Sequence, residues 1–406
     1  MQTNFNLENF IKTYVTGRQE SLLATDFKKY NAELNSRINE KSVLVIGGAG
    51  SIGSSYIKAI LKFNIKKLVV VDINENGLTE LVRDLRSSEG NNIPGDFITY
   101  PVNFGDRVFK KLFKQHGPFQ IVANFAAHKH VRSEKDIFSI EAMIENNVLR
   151  ARKLLDLLLE FPPEHFFCVS TDKAANPVNI MGASKKLMEE LIMAYSAKLP
   201  IKTARFANVA FSNGSLPLGF IDRLNKQQPW SCPLGIRRFF VSPQESGELC
   251  LMASIMGESG DIFFPKLDEE KDMIPFDNIA LALLKELGLD ADICQTEDEA
   301  KEKAATLPQN PKSWPIFFFG SDTSGEKSFE EFYTEKEELD NDSFVHLGVI
   351  KNSVKRDIKE IDDIFNRLHE LFESKDVSKT AIVEILKTYL PNFEHIETGK
   401  GLDSKM

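Results

Sequence analysis

The sequence predicts an α/β protein: a doubly wound parallel sheet with a smaller mixed α/β lobe and helical extensions at both ends. Three observations predict it. Short apolar runs alternate with stretches of helical periodicity from Val43 onward, a glycine-rich turn follows the first run, and the regularity fades after about Asn208, where prolines cut the chain into shorter pieces. Such alternation marks βαβ units, whose crossover helices cover both faces of a parallel sheet.

Residues 1–40 space Phe5, Leu7, Phe10, Ile11 and Tyr14 loosely as a helix and then turn polar, which predicts a helical arm. Val43–Ile46 reads as a strand, Ser54–Phe63 as a helix, Leu68–Val71 as a strand and Leu78–Arg86 as a helix. Further strands are expected at Phe97–Pro101, Ile121–Phe125 and Phe166–Ser170, so the main domain spans 41–207. A lobe over 208–350 is interrupted by Pro217, Pro229, Pro233, Pro243 and Pro265. Within it, the charge-rich stretch of about 268–311, including Thr296–Lys303, predicts an exposed helical insertion. The tail, 351–406, places Ile358, Ile361, Ile364, Phe365 and Leu368 at helical spacing, a stripe that packs on the body or on a second subunit.

A chain of 406 residues with 42% hydrophobic and 27% charged content buries a proper core. Its net charge of -9 opposes general affinity for nucleic acid or an anionic membrane surface, so an anionic ligand must be held by a local site. Cys168, Cys232, Cys250 and Cys294 lie far apart without metal-ligand spacing, which fits reduced thiols and a cytoplasmic protein. No apolar run reaches the length of a membrane span. His128 and His130 flank Lys129 at i, i+2 without an evident third ligand, so no metal is expected.

The segment Val43-Leu44-Val45-Ile46-Gly47-Gly48-Ala49-Gly50-Ser51-Ile52-Gly53 sets a G-x-x-G-x-x-G loop between strand and helix. Glycines there permit a tight turn and let the backbone approach a pyrophosphate at the helix N-terminus, so a Rossmann-type dinucleotide site is expected. Asp72 ends the second strand nineteen positions after Gly53, where a carboxylate can accept from ribose hydroxyls and repel a 2′-phosphate, favouring NAD over NADP; the alternative is that it only caps the next turn.

Ser170-Thr171-Asp172-Lys173 follows an apolar strand, and Met181-Gly182-Ala183-Ser184-Lys185 begins eight residues past Lys173. Hydroxyl, carboxyl and amine thus gather where a sheet delivers side chains to a ligand crevice. With these motifs, Ala126-Ala127-His128-Lys129-His130-Val131, Arg205-Phe206-Ala207-Asn208-Val209, Gly214-Ser215, Arg238-Phe239-Phe240, Gly325-Glu326-Lys327 and Glu330-Glu331-Phe332, the chain from about 41 to 350 resembles the extended short-chain dehydrogenase superfamily. Within that superfamily it resembles the polysaccharide-biosynthesis nucleotide-sugar 4,6-dehydratases, which act on UDP-N-acetylglucosamine. Met181 holds the place of the superfamily tyrosine, and a thioether cannot be a general base. Met there resembles the branch that retains configuration at C5. Asn103 stands where Asp is common, Arg132 where Pro is usual and Asn213 where Arg is usual.

The resemblance implies an NAD-dependent lyase that makes a 4-keto-6-deoxy sugar nucleotide, with a nucleotide sugar as partner (UDP-N-acetylglucosamine first, GDP- or dTDP-sugars as alternatives) and a homo-oligomeric state. A nucleotide-sugar epimerase and a non-catalytic nucleotide-binding scaffold are the rival readings. It places Gly47, Gly50, Ser51, Ile52, Gly53, Asp72, Asn103, Ala126, Ala127 and Lys185 around the cofactor. Thr171 would polarise the C4 hydroxyl, and Asp172 and Lys173 would be the acid and base of elimination, in either assignment. Lys129, Asn208, Ser215 and Arg238 would hold the substrate, Arg238 through paired guanidinium donors to the diphosphate.

Overall fold

The N-terminal arm folds back onto its own chain. In the computed structural model, which describes residues 5–130, 134–320, 331–353 and 355–396, Asn6 caps a short helix α1 (Leu7–Phe10) that runs into a π-helical turn, Ile11–Val15. Phe10, Ile11 and Val15 bury themselves in the second half of the chain, and helix α2 (Ala24–Ile38) sinks Leu34 and Ile38 into the main core. Arg18 pins the link between them through Glu245, 2.8 Å away, and Asp272, 3.2 Å away.

The alternation then appears as expected. In order come β1 (Ser42–Ile46), α3 (Ser51–Ile60), β2 (Lys67–Asp72), α4 (Glu75–Ser87), β3 (Asp96–Pro101), α5 (Arg107–His116) and β4 (Ile121–Asn124). They are followed by α6 (Ile137–Ile144), a π-helical turn at Glu145–Leu149, α7 (Arg150–Glu160), β5 (His165–Val169), α8 (Ile180–Tyr195) and β6 (Ile201–Ala204). Val43, Leu44, Val45 and Ile46 are all buried, as are Ile121, Val122 and Ala123, because helices cover both faces of these strands.

The rest of the chain supplies β7 (Asn208–Val209), α9 (Leu216–Asn225), β8 (Trp230–Pro233), β9 (Arg237–Val241), α10 (Pro243–Met256), β10 (Ile262–Pro265), β11 (Met273–Pro275) and α11 (Phe276–Glu286). It ends in β12 (Asp290–Cys294), α12 (Glu297–Ala305), β13 (Ser313–Phe319), β14 (Glu338–Asp340), β15 (Leu347–Lys351), α13 (Ile358–Glu373) and α14 (Lys379–Tyr389). Among the described residues the nine-stranded sheet has the order β14-β15-β10-β6-β5-β4-β1-β2-β3, parallel from β10 through β3, with β15 antiparallel to both of its neighbours, β10 and β14. Val43 pairs with Leu68 on one side and Ile121 on the other, so the winding reverses at β1 and opens a crevice beyond the strands' carboxyl ends.

Two features depart from the sequence reading. The main sheet does not end near residue 207, since β10, β14 and β15 join it from the later segment; Ile262 and Phe263 are fully buried beside β6. Helix α10 also returns against α3, where a side chain at Gly247 would meet Ser55 O at 2.2 Å. The stretch 268–311 is likewise not an exposed helical insertion. It forms β11, then α11, with Ile279, Ala280, Leu283 and Leu284 buried, then β12 and α12, which lead into β13 to make a parallel β12-α12-β13 unit whose β13 pairs with β8. The charges that suggested exposure lie on α12 and β12, whereas the apolar face of α11 supplies a second core with Trp230 and Trp314. The tail helices bury Ile361, Ile364, Leu368, Ile382 and Leu386 in the main core.

Candidate active site

The crevice at the β1 and β4 ends divides into two adjoining clefts that share Phe125 and Ala127. One, of about 220 Å³, includes Gly47, Gly50, Asp72, Asn103, Ala126 and Ala127. The other, of about 230 Å³, includes Ile52, Lys129, Thr171, Asp172, Lys173, Met181, Lys185, Asn208 and Ser215.

In the first cleft the three expected glycines do different work. Gly47 has φ +76°, and a side chain on it would sit 2.5 Å from Ala126 N, so the turn out of β1 packs directly against the end of β4. At Gly53 a side chain would meet Gly47 O at 2.2 Å, which fixes α3 against the loop. Gly50 differs: its added carbon would find nothing nearer than Gly47 O at 3.5 Å and would project into the cleft. The free backbone N–H groups of a helix start and this space for a close approach fit a dinucleotide pyrophosphate.

Asp72 makes both bonds its position allows: Oδ1 accepts from Asn74 N at 2.9 Å, capping the next turn, and Oδ2 accepts from Ala49 N at 2.9 Å, tying down the loop. Each oxygen keeps a second lone pair for a ribose hydroxyl. Asn103 Oδ1 accepts from Gly105 N at 2.9 Å. Ser51 opens α3 and accepts from Asn213 N at 2.8 Å; it lies outside both cleft linings, so its hydroxyl joins loop 211–215 to the helix.

In the second cleft Asp172 is the hub. Its Oδ1 accepts from Thr171 Oγ1 at 2.7 Å, Lys173 N at 2.8 Å and Lys173 Nζ at 3.1 Å, with the carboxylate buried. Three donors on one oxygen fix the triplet's geometry. Lys185 is buried on α8 and donates to Val169 O at 2.7 Å; burial holds its ammonium below the ordinary lysine value. Met181 presents its thioether at the helix start and has no proton to exchange. Arg238 is buried on β9, donates to Arg237 O at 2.9 Å, and lies outside both cleft linings. Of the resemblance motifs, Val131, Arg132, Gly325, Glu326, Lys327 and Glu330 lie outside the described residues.

Three polar residues that the sequence reading missed support this arrangement. Asn147, in the π-helical turn, donates to His128 O at 3.0 Å and Ser184 Oγ at 3.1 Å and accepts from His128 N at 2.8 Å, binding the β4 loop to α8. Glu189 accepts from Ser170 Oγ at 3.0 Å and Arg205 Nε at 2.9 Å beneath the end of β5. Glu134 accepts from Met181 N at 2.9 Å. Among the described residues, no group of three or more His, Cys, Asp or Glu is placed to hold a metal ion, and no helix is long and apolar enough to cross a membrane.

The doubly wound parallel sheet, with paired clefts at the carboxyl ends of its strands, defines a Rossmann-type architecture. The chain belongs to the polysaccharide biosynthesis protein family, which it matches over residues 43–352. It is 29% identical over 360 residues to the uncharacterized membrane protein MJ1061 of Methanocaldococcus jannaschii, covering 87% of this chain and 98% of that one. It is also 29% identical over 249 residues to the capsular polysaccharide biosynthesis protein CapD of Staphylococcus aureus, covering 60% of this chain and 41% of CapD; the chain thus spans about two fifths of that relative. Among solved structures, Pen from Bacillus thuringiensis superposes with a TM-score of 0.62 at 20% identity, covering 81% of this chain and 98% of Pen. DesIV, the dTDP-glucose 4,6-dehydratase of Streptomyces venezuelae solved with NAD and TYD bound, superposes with a TM-score of 0.54 at 17% identity, covering 72% of this chain and 88% of DesIV.

Proposed function

We propose that the protein is an NAD-dependent nucleotide-sugar 4,6-dehydratase acting on UDP-N-acetylglucosamine in polysaccharide biosynthesis. The observation that carries this reading is the Thr171-Asp172-Lys173 triplet, joined through one carboxylate oxygen, opposite a methionine where a tyrosine base would stand. The open space at Gly50 beside the start of α3 supports dinucleotide binding, with Asp72 as ribose acceptor. NAD held there by the glycine loop and Asp72 would supply a hydride acceptor and donor for the sugar.

The remaining chemistry belongs to the chain. Thr171 faces the C4 hydroxyl and polarises it, while Lys185 anchors the nicotinamide ribose. Transfer of a proton from Lys173 Nζ to Asp172 across 3.1 Å yields a neutral amine and a carboxylic acid from the ion pair. The amine then takes the C5 proton, acidified by the C4 ketone, and the acid protonates the C6 hydroxyl, which leaves as water. Both groups return to the ion pair, which balances the elimination; the proton lost from the C4 hydroxyl leaves past Thr171 to solvent, and the Lys173 ammonium returns a proton to C5 as C6 is reduced, then recovers one from solvent. Met181 leaves C5 without a competing proton donor on its side, consistent with retained configuration.

The test is incubation of the purified protein with NAD and UDP-N-acetylglucosamine, followed by mass spectrometry. Loss of one water supports the proposal. An isomer of unchanged mass points to an epimerase, and absence of reaction across UDP-, GDP- and dTDP-sugars overturns the enzymatic reading.

A further inference from the structure

The C-terminal segment after α14 returns to the start of α8, the helix whose Met181 and Lys185 line the second cleft. Phe393 is buried, Ile396 N donates to Val178 O at 2.9 Å, and His395 Nε2 lies 3.5 Å from Glu134 Oε2 with both side chains 9% exposed. The other oxygen of Glu134 accepts from Met181 N at 2.9 Å, one of the orphan donors in the first turn of α8. Asn179 satisfies the next donor, Gly182 N, at 2.7 Å. A carboxylate is also the favoured charge at a helix start. Glu134 therefore joins three parts: its own turn ahead of α6, the helix that carries Met181 and Lys185, and the tail.

We infer that His395 and Glu134 are positioning residues of the reaction cleft, and that this C-terminal strap completes the active site. His395 orients the Glu134 carboxylate, and Glu134 sets the first turn of α8, from which Met181 faces the substrate and Lys185, one turn later, the cofactor. The strap has its own anchors in Phe393 and Ile396, so removing the imidazole alone loosens Glu134 without detaching the segment. The inference rests on the dehydratase reading only for its turnover readout.

The test uses the full chain with His395→Ala, His395→Gln, Glu134→Ala and Glu134→Gln. His395→Ala is expected to lower kcat on the order of tenfold with KM, NAD affinity and Tm close to wild type. His395→Gln, whose amide can still donate to the carboxylate, is expected to recover most of that loss. Hydrogen exchange at the Met181 and Gly182 amides gives a readout free of any substrate: it should quicken in His395→Ala and Glu134→Ala while exchange at the glycine loop is unchanged. Wild-type kcat and exchange in both alanine variants would overturn the inference. So would a kcat loss that follows Tm and is not recovered by Gln. If the wild type converts no nucleotide sugar yet the exchange shifts as stated, the dehydratase reading fails and the strap stands.

Discussion

Replacing Gly50 by alanine separates space kept for a ligand from space needed by the protein. Gly50 caps α3 with φ −73° and ψ 163°, a conformation any residue adopts, and its added methyl meets nothing nearer than 3.5 Å. Alanine is a poorer cap than glycine by roughly 0.5 kcal/mol, and it restricts the unfolded chain by about the same amount. The two effects nearly cancel, so Tm should stay within a few degrees. The methyl instead projects into the cleft where a diphosphate would approach the backbone. Displacing the ligand from one charge-assisted hydrogen bond costs about 1.5–3 kcal/mol, which is about 10- to 100-fold in NAD affinity. Isothermal titration with NAD, alongside calorimetric unfolding, reads both quantities. Gly53→Ala is the contrast: its methyl strikes Gly47 O at 2.2 Å, so stability and affinity should fall together. NAD affinity in Gly50→Ala within twofold of wild type would refute the assignment of the cleft.

Asp172→Asn and Lys173→Met should each lower turnover by about 100-fold or more with NAD titration unchanged; full turnover in either would sink the elimination scheme. Burial pushes the buried Glu189 up, but Arg205 and Lys186 outweigh it and hold the carboxyl at about 2, below its ordinary 4.5. Its contribution to stability is therefore complete above pH 4.5 and lost as pH falls toward 2. Glu189→Gln should cost about 3–5 kcal/mol near neutrality and less in acid, read as denaturant midpoints against pH; a constant difference across that window would contradict the pairing. Burial, with repulsion from Arg37, pushes Lys202 down to about 8 from 10.5, so its charge costs stability at neutral pH, a cost that fades as pH rises between those values. Lys202→Met should raise stability at neutral pH by at most about 3 kcal/mol, with the gain shrinking in alkali; a less stable variant at neutral pH would refute this.

Much of the main sheet was legible because its signals are local. A four-residue, mostly β-branched apolar run such as Val43–Ile46, too short for a helix and ended by glycines, reads as a strand buried on both faces, and the glycine spacing after it marks the turn into α3. The triplet Thr171-Asp172-Lys173 and the methionine at 181 were also visible, since adjacency in sequence put them at one strand end and one helix start. The second half was harder. In α12 the acidic first turn and lysines read as solvent-facing charge, while the partners that bury α11 and pair β12 come from β8 and β13, distant along the chain.

The alternation, the loop glycines and the Thr171-Asp172-Lys173 run with Met181 could be read from the chain alone, because these depend on residue type and near spacing. Only the tertiary structure decided that Gly50 faces open space while Gly47 and Gly53 are packed. It also decided that Asp172 gathers three donors on one oxygen, and that Glu134 and His395, far apart in the chain, meet at the start of α8. Such contacts join distant segments through side-chain direction and burial, and no periodicity along the chain records them.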